Sequence, residues 1–495
     1  MIKTLHKMPK GVIPLYFIQA FSTFSFAILY SSLSLYVTKQ LGLSNTVSNS
    51  IVGLFLAFNY ALHLLGGVIG GRFLSNRSLF FITTILQSIG IMCLVFSQSS
   101  LLYIGLSLFL VGCGLNTTCY NTMLADRFHS TDNRREKAFF YSYSAMNIGF
   151  FAGYIISGFY DYSNQYQHIF FASLVTNLVT IILIAFNWAA LEDNNSLLLD
   201  LKNDSRQKLR NWIGIAAILI LVPFLTVSFN SSDFSNGMVM VLSIIMFFVI
   251  LFLGHKQKIK ADKQKIKAYL ILTVTSIIFW MIYYTGPMGV TIFIKNNVDK
   301  HIFDYELATQ WVLNINALVI IVGAPIMAIV INKLQSKGFN FSVSMQFVWA
   351  FIILAFSFFF LACGVTFSDS HGYSSLSWVI LHLVAQSIAE LLIGPVGYAM
   401  IGRIAPAKLQ GILMGTWMMV SGVSASLSSY FSNAMMKTDS IDPLITNADY
   451  FHVFNQLGIW ALIGGVFLYF ISGKIRSLID DTNELDSKST ETVIA

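Results

Sequence analysis

Apolar residues fill this chain in runs long enough to cross a bilayer, and the runs recur from one end to the other. They lie at about 12–38, 50–71, 79–97, 101–125, 138–160, 167–190, 211–230, 236–254, 268–294, 308–332, 345–366, 376–402, 408–436 and 450–472. Each is near the roughly 20 residues a helix needs to span about 30 Å of hydrocarbon. The short alternating segments of a transmembrane barrel do not compete with them. The expected fold class is therefore an all-α integral membrane protein with fourteen transmembrane helices.

Composition removes the soluble alternative. Only 11% of the 495 residues are charged and 56% are hydrophobic, whereas a soluble chain carries about 25% charged residues. The first run is span-length and holds bulky aromatics, unlike a cleaved leader with its short apolar core and small-residue cleavage site. It is expected to stay as the first helix.

Lys and Arg set the expected orientation. With the N-terminus inside, twenty-six of the thirty basic residues fall in inner segments, and the outer loops hold only Lys39, Lys295, Lys300 and Lys437. A multi-pass protein of the plasma (inner) membrane with both termini cytoplasmic follows. The basic stretch from Lys256 to Lys267 reads as a positive-inside loop surrounded by lipid-facing helices. No folded basic domain accompanies it, so nucleic acid is not an expected partner. Cys93, Cys113, Cys119 and Cys363 all lie in apolar runs without metal-site spacing, and no metal or cofactor is expected. Nothing resembles a nucleotide-binding loop or a nucleophile constellation. The chain is not expected to be an enzyme, and no catalytic residue is assigned.

The expected domains are an N-terminal six-helix bundle (1–191), a linker with two extra transmembrane helices (192–267), a C-terminal six-helix bundle (268–473) and a cytoplasmic tail (474–495). Six plus two plus six is the layout of a transporter whose halves are related bundles around a central site. The two extra spans are apolar all round, as expected of lipid-facing helices at the periphery.

One carboxylate interrupts the apolar pattern: Glu390, in the run beginning near Leu376. A lone ionisable group at bilayer depth costs about 2.5–3.5 kcal/mol on insertion scales, so it faces a watery cavity or a partner. Around it the chain reads Glu390-Leu391-Leu392-Ile393-Gly394-Pro395-Val396-Gly397, then Arg403-Ile404-Ala405-Pro406 and Lys408, then Gly411 and Met414-Gly415-Thr416-Trp417. This stretch resembles the proton-coupled oligopeptide transporter family of the major facilitator superfamily. That family's tenth helix carries Glu followed by Leu-Leu-Ser-Pro-Val-Gly and ends in Lys-Leu-Ala-Pro, and a Gly and Met-Gly-x-Trp follow on the next helix.

Other segments resemble the same family: Tyr60 with Gly66-Gly67, Phe140-Tyr141 through Met146-Asn147-Ile148-Gly149, Phe279-Trp280, and Asn314-Ile315-Asn316 followed by Ala324-Pro325. The resemblance covers both six-helix halves and implies the major facilitator fold. The function it implies is secondary active transport of small peptides or a peptide-like solute by alternating access, as a proton symport coupled through Glu390.

The departures from the family pattern concern charge. Its first-helix Glu-x-x-Glu-Arg-Phe aligns with Gln19, Ser22, Thr23 and Phe24, and its peptide-binding Arg with Tyr30. Its fourth-helix Lys aligns with Thr117, and its seventh-helix Glu with Tyr284. Removing one partner of a buried pair costs about 3–5 kcal/mol, while removing both can be neutral. Losses of this kind are tolerable together.

The substrate-binding residues expected from the resemblance are therefore Tyr30, Tyr60, Asn116, Thr117, Asn147, Tyr284, Asn316 and Glu390, a polar set whose single charge is Glu390. Hydroxyls and amides donate and accept, which suits an organic solute with amide or hydroxyl groups. The expected partners are a small peptide or peptide-like solute, protons and membrane lipid. His63 and His382 are the remaining titratable groups in the spans and the reserve proton sites. In the loop 71–77, Ser75 and Asn76 occupy the places of the superfamily's Asp and Arg, so a weakened latch is expected there. Two alternatives stand beside peptide import: an exporter or importer of a non-peptide metabolite such as a siderophore, and a transporter-like sensor without net flux.

Overall fold

The computed structural model describes residues 8–128, 134–194, 196, 198, 205–337, 342–404, 410–437 and 440–494. It is all-helical apart from four two-residue strands among the described residues. Fourteen helices are long: α1 (Val12–Leu35), α2 (Asn45–Ile69), α3 (Asn76–Val95), α4 (Ser99–Ala125), α5 (Arg134–Tyr162), α6 (Tyr166–Phe186), α7 (Ser205–Asn230), α8 (Ser232–His255), α9 (Lys260–Tyr283), α12 (Ile315–Ser336), α13 (Val343–Thr366), α14 (Leu376–Ile404), α15 (Gln410–Ala434) and α16 (Pro443–Ile494). Two short helices, α10 (Thr291–Asn297) and α11 (Thr309–Leu313), lie between α9 and α12. Twelve spans among the described residues are long and apolar enough to cross a membrane. α5 and α15 are the two long helices outside that group.

The helices begin where the sequence supplies caps. Ser44 accepts from Val47 N at 3.3 Å, Ser75 from Ser78 N at 3.3 Å and Ser342 from Met345 N at 3.4 Å. Each satisfies an N–H that the helix itself leaves unpaired.

The chain packs as two compact units. The first holds residues 1–235 together with 307–314. Within it α1 packs on α5 and α6, α3 on α4 and α6, and α2 on α4. Lipid offers helices no hydrophobic drive to associate, so close backbone approach and interhelical hydrogen bonds hold such bundles. A Cβ at Gly66 would lie 2.5 Å from Leu115 O, so α2 and α4 meet there only because residue 66 has no side chain. Ser25 and Ser173 Oγ are 2.8 Å apart, and Ser31 Oγ donates to Ser157 Oγ at 3.0 Å. α7 joins this unit by packing on α4, where Thr226 Oγ1 donates to Ser107 Oγ at 3.1 Å.

The segment 307–314 lies in the second half of the chain but packs in the first unit, on α5. Trp311 Nε1 donates to Ile155 O at 2.9 Å and Asn314 Nδ2 to Phe151 O at 3.2 Å. The indole rests on Gly158, where a Cβ would come within 2.3 Å of it.

The second unit holds 236–306 and 315–495. α13 packs on α14 and α16, α9 on α15 and α16, and α12 on α14. Tyr269, Phe279, Phe293, Phe347, Phe351 and Tyr450 are its largest fully buried side chains. In its loops, β1 (Val298–Asp299) pairs in parallel with β4 (Ser374–Ser375), and β2 (His301–Ile302) pairs antiparallel with β3 (Tyr305–Glu306). α8 exposes Val241, Ile244, Ile245, Phe248 and Phe252, an apolar surface suited to lipid.

Candidate functional site

Glu390 sits mid-way along α14, and two helices of the second unit reach it. α9 ends at Tyr283 because Pro287 lacks an N–H and Gly286 precedes it. A π-helical turn over Gly286–Val290 follows, with Met288 in a non-helical conformation. Thr285 Oγ1 closes the helix end by donating to Ile282 O at 2.7 Å. The break leaves Tyr283 at the α9 terminus, where its hydroxyl donates to Glu390 Oε2 at 2.6 Å.

Asn316, the second residue of α12, supplies the other donor. Its Nδ2 lies 3.1 Å from Glu390 Oε2 and 2.9 Å from Ser387 Oγ. Ser387 in turn donates to Leu383 O at 2.6 Å, which fixes its oxygen as an acceptor for Asn316. Gln386 Nε2 donates to Tyr283 O at 3.2 Å, so α14 holds both ends of Tyr283. Both hydrogen bonds to the acid enter one oxygen. Among the described residues none donates to Oε1, and the side chain is half-buried. A carboxylate so arranged is fixed in place with one oxygen available for a proton or an ammonium group.

The structure thus brings Asn316 and Glu390 together. Tyr284 is adjacent and buried, with its ring stacked on Trp280 at 5.7 Å. Tyr283, Gln386 and Ser387 escaped the sequence reading. A signal existed for Gln386: with His382 and Glu390 it follows the i, i+4, i+8 spacing of one helix face.

The other expected substrate-binding residues lie in the first unit. Asn116 is buried, accepting from Thr83 Oγ1 and donating to Thr84 Oγ1 at 3.3 Å, which commits it to α3. Asn147 donates to Tyr143 O at 2.8 Å within its own helix. Thr117 is exposed, and its hydroxyl lies 3.5 Å from Cys113 O. Tyr30 is half-buried and stacked on Phe26 at 5.7 Å, and Tyr60 meets His63 edge-on at 5.6 Å. His382 is fully buried, with Nδ1 3.0 Å from Ser357 O on α13. Within 389–417, the side chains of Pro395, Val396, Gly397, Arg403, Ile404, Gly411, Met414 and Gly415, and all of Ala405, Pro406 and Lys408, lie outside the described residues, as does the side chain of Phe140.

The loop before α3 is held differently from expectation. Ser75 caps α3, and Asn76 is bound by an acid from a distant part of the chain. Asp193 accepts from Asn76 N at 2.9 Å and from Asn76 Nδ2 at 3.2 Å. The segment after α6 straps this end of the first unit: Arg77 donates to Trp188 O at 2.7 Å, Arg127 to the carbonyls of Ala190 and Glu192, and Leu198 N to Gly71 O at 3.1 Å. Burial pushes the Asp193 carboxyl above the usual carboxylate range, and the donors of Asn76 offset only part of that.

Comparison with known proteins places these features in a family context. The profile of the POT family matches residues 77–450. The chain is 26% identical over 492 residues to dipeptide and tripeptide permease A of Salmonella typhimurium, covering 98% of this chain and 96% of that protein. The permease of the same name from Escherichia coli K12 is 26% identical over 481 residues, covering 96% and 94%. Among solved structures, a POT peptide transporter in complex with alafosfalin superposes with a TM-score of 0.82 at 20% identity, covering 95% of this chain and 96% of that one. A POT family transporter in complex with 5-aminolevulinic acid gives 0.80 at 21% identity, covering 94% and 97%.

Proposed function

Because this chain belongs to the POT family, we propose that it is a secondary active transporter that carries small peptides or a peptide-like organic solute by alternating access, coupled to protons at Glu390. The carrying observation is the asymmetry of that carboxylate: Tyr283 and Asn316 fix Oε2, and none of the described residues donates to Oε1. A proton on Oε1 and an ammonium group beside it exclude one another, so one oxygen links proton binding to substrate binding. The names of the permeases, for dipeptides and tripeptides, define the first panel of solutes.

The protein is a multi-pass membrane protein, and its place in the family supports the inner membrane as its location. The excess of Lys and Arg in alternate loops supports cytoplasmic termini. The six-plus-two-plus-six division, with bundles at 1–191 and 268–473, the linker helices at 192–267 and the tail at 474–495, remains our reading of the sequence. α8 and its exposed apolar side chains support lipid as a partner.

The direct test is uptake by proteoliposomes under an inward proton gradient, against di- and tripeptides, amino acids and siderophores. Accumulation of a peptide or peptide-like solute above the external concentration, abolished by a protonophore, is expected. Binding without flux for any member of the panel would favour a sensor instead.

A further inference from the structure

The aromatic side chains beside Glu390 bear on which ligand that carboxylate suits. Trp280, Tyr283 and Tyr284 stand at i, i+3 and i+4 on α9 and its terminus, and therefore on one helix face. Their ring centroids are 5.2 Å apart for Trp280 and Tyr283, 5.7 Å for Trp280 and Tyr284, and 5.6 Å for Tyr283 and Tyr284. Trp280 and Tyr283 are half-buried, so they keep accessible surface. Tyr283 joins this cluster to the acid, since its hydroxyl is the 2.6 Å donor to Oε2. Aromatic faces carry negative quadrupole charge and attract cations, Trp most strongly. A fixed carboxylate with a free oxygen next to such faces is a cation site.

Among the described side chains of the second unit, no Lys or Arg lies within the apolar runs. In the second unit, Lys300 is paired with Glu306 at 3.0 Å and Lys437 with Asp449, near the start of α16, at 2.9 Å. Its other described cations lie at or near helix ends: Lys256 and Lys258 before α9, Lys260, Lys263, Lys265 and Lys267 in its first turns, Lys295 in the last turn of α10, Lys333 and Lys337 at the end of α12, and Lys474 and Arg476 beyond the last apolar run. A zwitterion bound at Glu390 would bring a carboxylate that loses water and meets no cation among the described side chains of the second unit's apolar runs, a loss that a buried charge recovers only when paired.

We propose that the site selects a monovalent organic cation, an ammonium bearing an apolar substituent and no free carboxylate, over the zwitterion of the same size. The proposal rests on Glu390 being the substrate site. It concerns selectivity, so it can fail while transport itself stands.

The experiment is equilibrium binding to the full-length protein in lipid nanodiscs at about pH 6.5, where an α-amino group is protonated. The probes are one dipeptide with an apolar side chain, its C-terminal amide, and its N-acetyl derivative. The amide is expected to bind about tenfold tighter than the free dipeptide, and the N-acetyl compound at least about tenfold weaker than either. Trp280→Leu is expected to weaken amide binding about five- to tenfold, with Trp280→Phe restoring most of it. Restoration by Phe separates a ring-face contact from a general loss of folding.

A dipeptide that binds as tightly as its amide, or an N-acetyl compound that binds as well as the amide, overturns the proposal. If that dipeptide is also accumulated under a proton gradient, only the selectivity is wrong and the transport reading stands. If none of the three binds and none is accumulated, both fall.

Discussion

Tyr283 and Glu390 are joined by a 2.6 Å hydrogen bond between the end of α9 and the middle of α14. The bond exists because the chain breaks at Gly286–Pro287, which stops α9 and leaves the Tyr283 side chain facing the acid. Asn316 donates to the same oxygen, so three helices of the second unit meet at one atom. Any movement of α9 or α12 relative to α14 changes how that carboxylate is held.

Tyr283→Phe tests the first of these contacts. A hydrogen bond to a charged group contributes about 1.5–3 kcal/mol. Substrate binding is expected to weaken about tenfold or more while the melting temperature in detergent changes little. Unchanged affinity in a folded variant would remove Tyr283 from the site.

The strap gives a second prediction, in the pH dependence of stability. Burial raises the Asp193 carboxyl above its ordinary value of 3.8, so the folded state holds that proton more tightly than the unfolded state. Its contribution to stability is then full below 3.8 and declines as pH rises through the raised folded value. Asp193→Asn mimics the neutral form, so its melting temperature relative to the native protein should rise as pH is raised above the ordinary value of 3.8. A difference that falls over that range would contradict the sign.

The docking of 307–314 yields a third. A Cβ at Gly158 would lie 2.3 Å from the Trp311 indole. Gly158→Ala is expected to destabilise the protein by about 1–3 kcal/mol, the range for overpacking. In a Trp311→Ala background the same change should cost much less, because the clash is gone. Additive losses in a double-mutant cycle of melting curves would show that the two residues do not act through this contact.

Much of the architecture was legible in the sequence because hydrocarbon thickness dictates helix length. The apolar runs appear as fourteen long helices, and Glu390 was conspicuous because an acid in such a run needs a reason. Asn316 was named as well, and it reaches the acid directly. Side-chain direction was harder to read. Tyr284 was the named residue, yet Tyr283 makes the bond, since one residue on a helix turns the side chain by about 100° and the break after α9 selects which Tyr faces α14. Asp193 was hidden for another reason. It lies 117 residues from Asn76, and no local pattern announces a cap supplied from so far away. The packing of 307–314 in the first unit is likewise a long-range fact, resting on Trp311 finding a glycine on α5.

Glu390→Gln in proteoliposomes tests the central claim most directly, by comparing proton-driven accumulation with counterflow exchange of the same solute. Gln preserves an acceptor oxygen at the Tyr283 and Asn316 donors but cannot release a proton. Exchange at saturating solute is expected to persist and to lose its dependence on pH, while accumulation against a gradient disappears. Accumulation at the native level in Glu390→Gln would contradict the account and move the coupling site to another titratable group, His63 or His382.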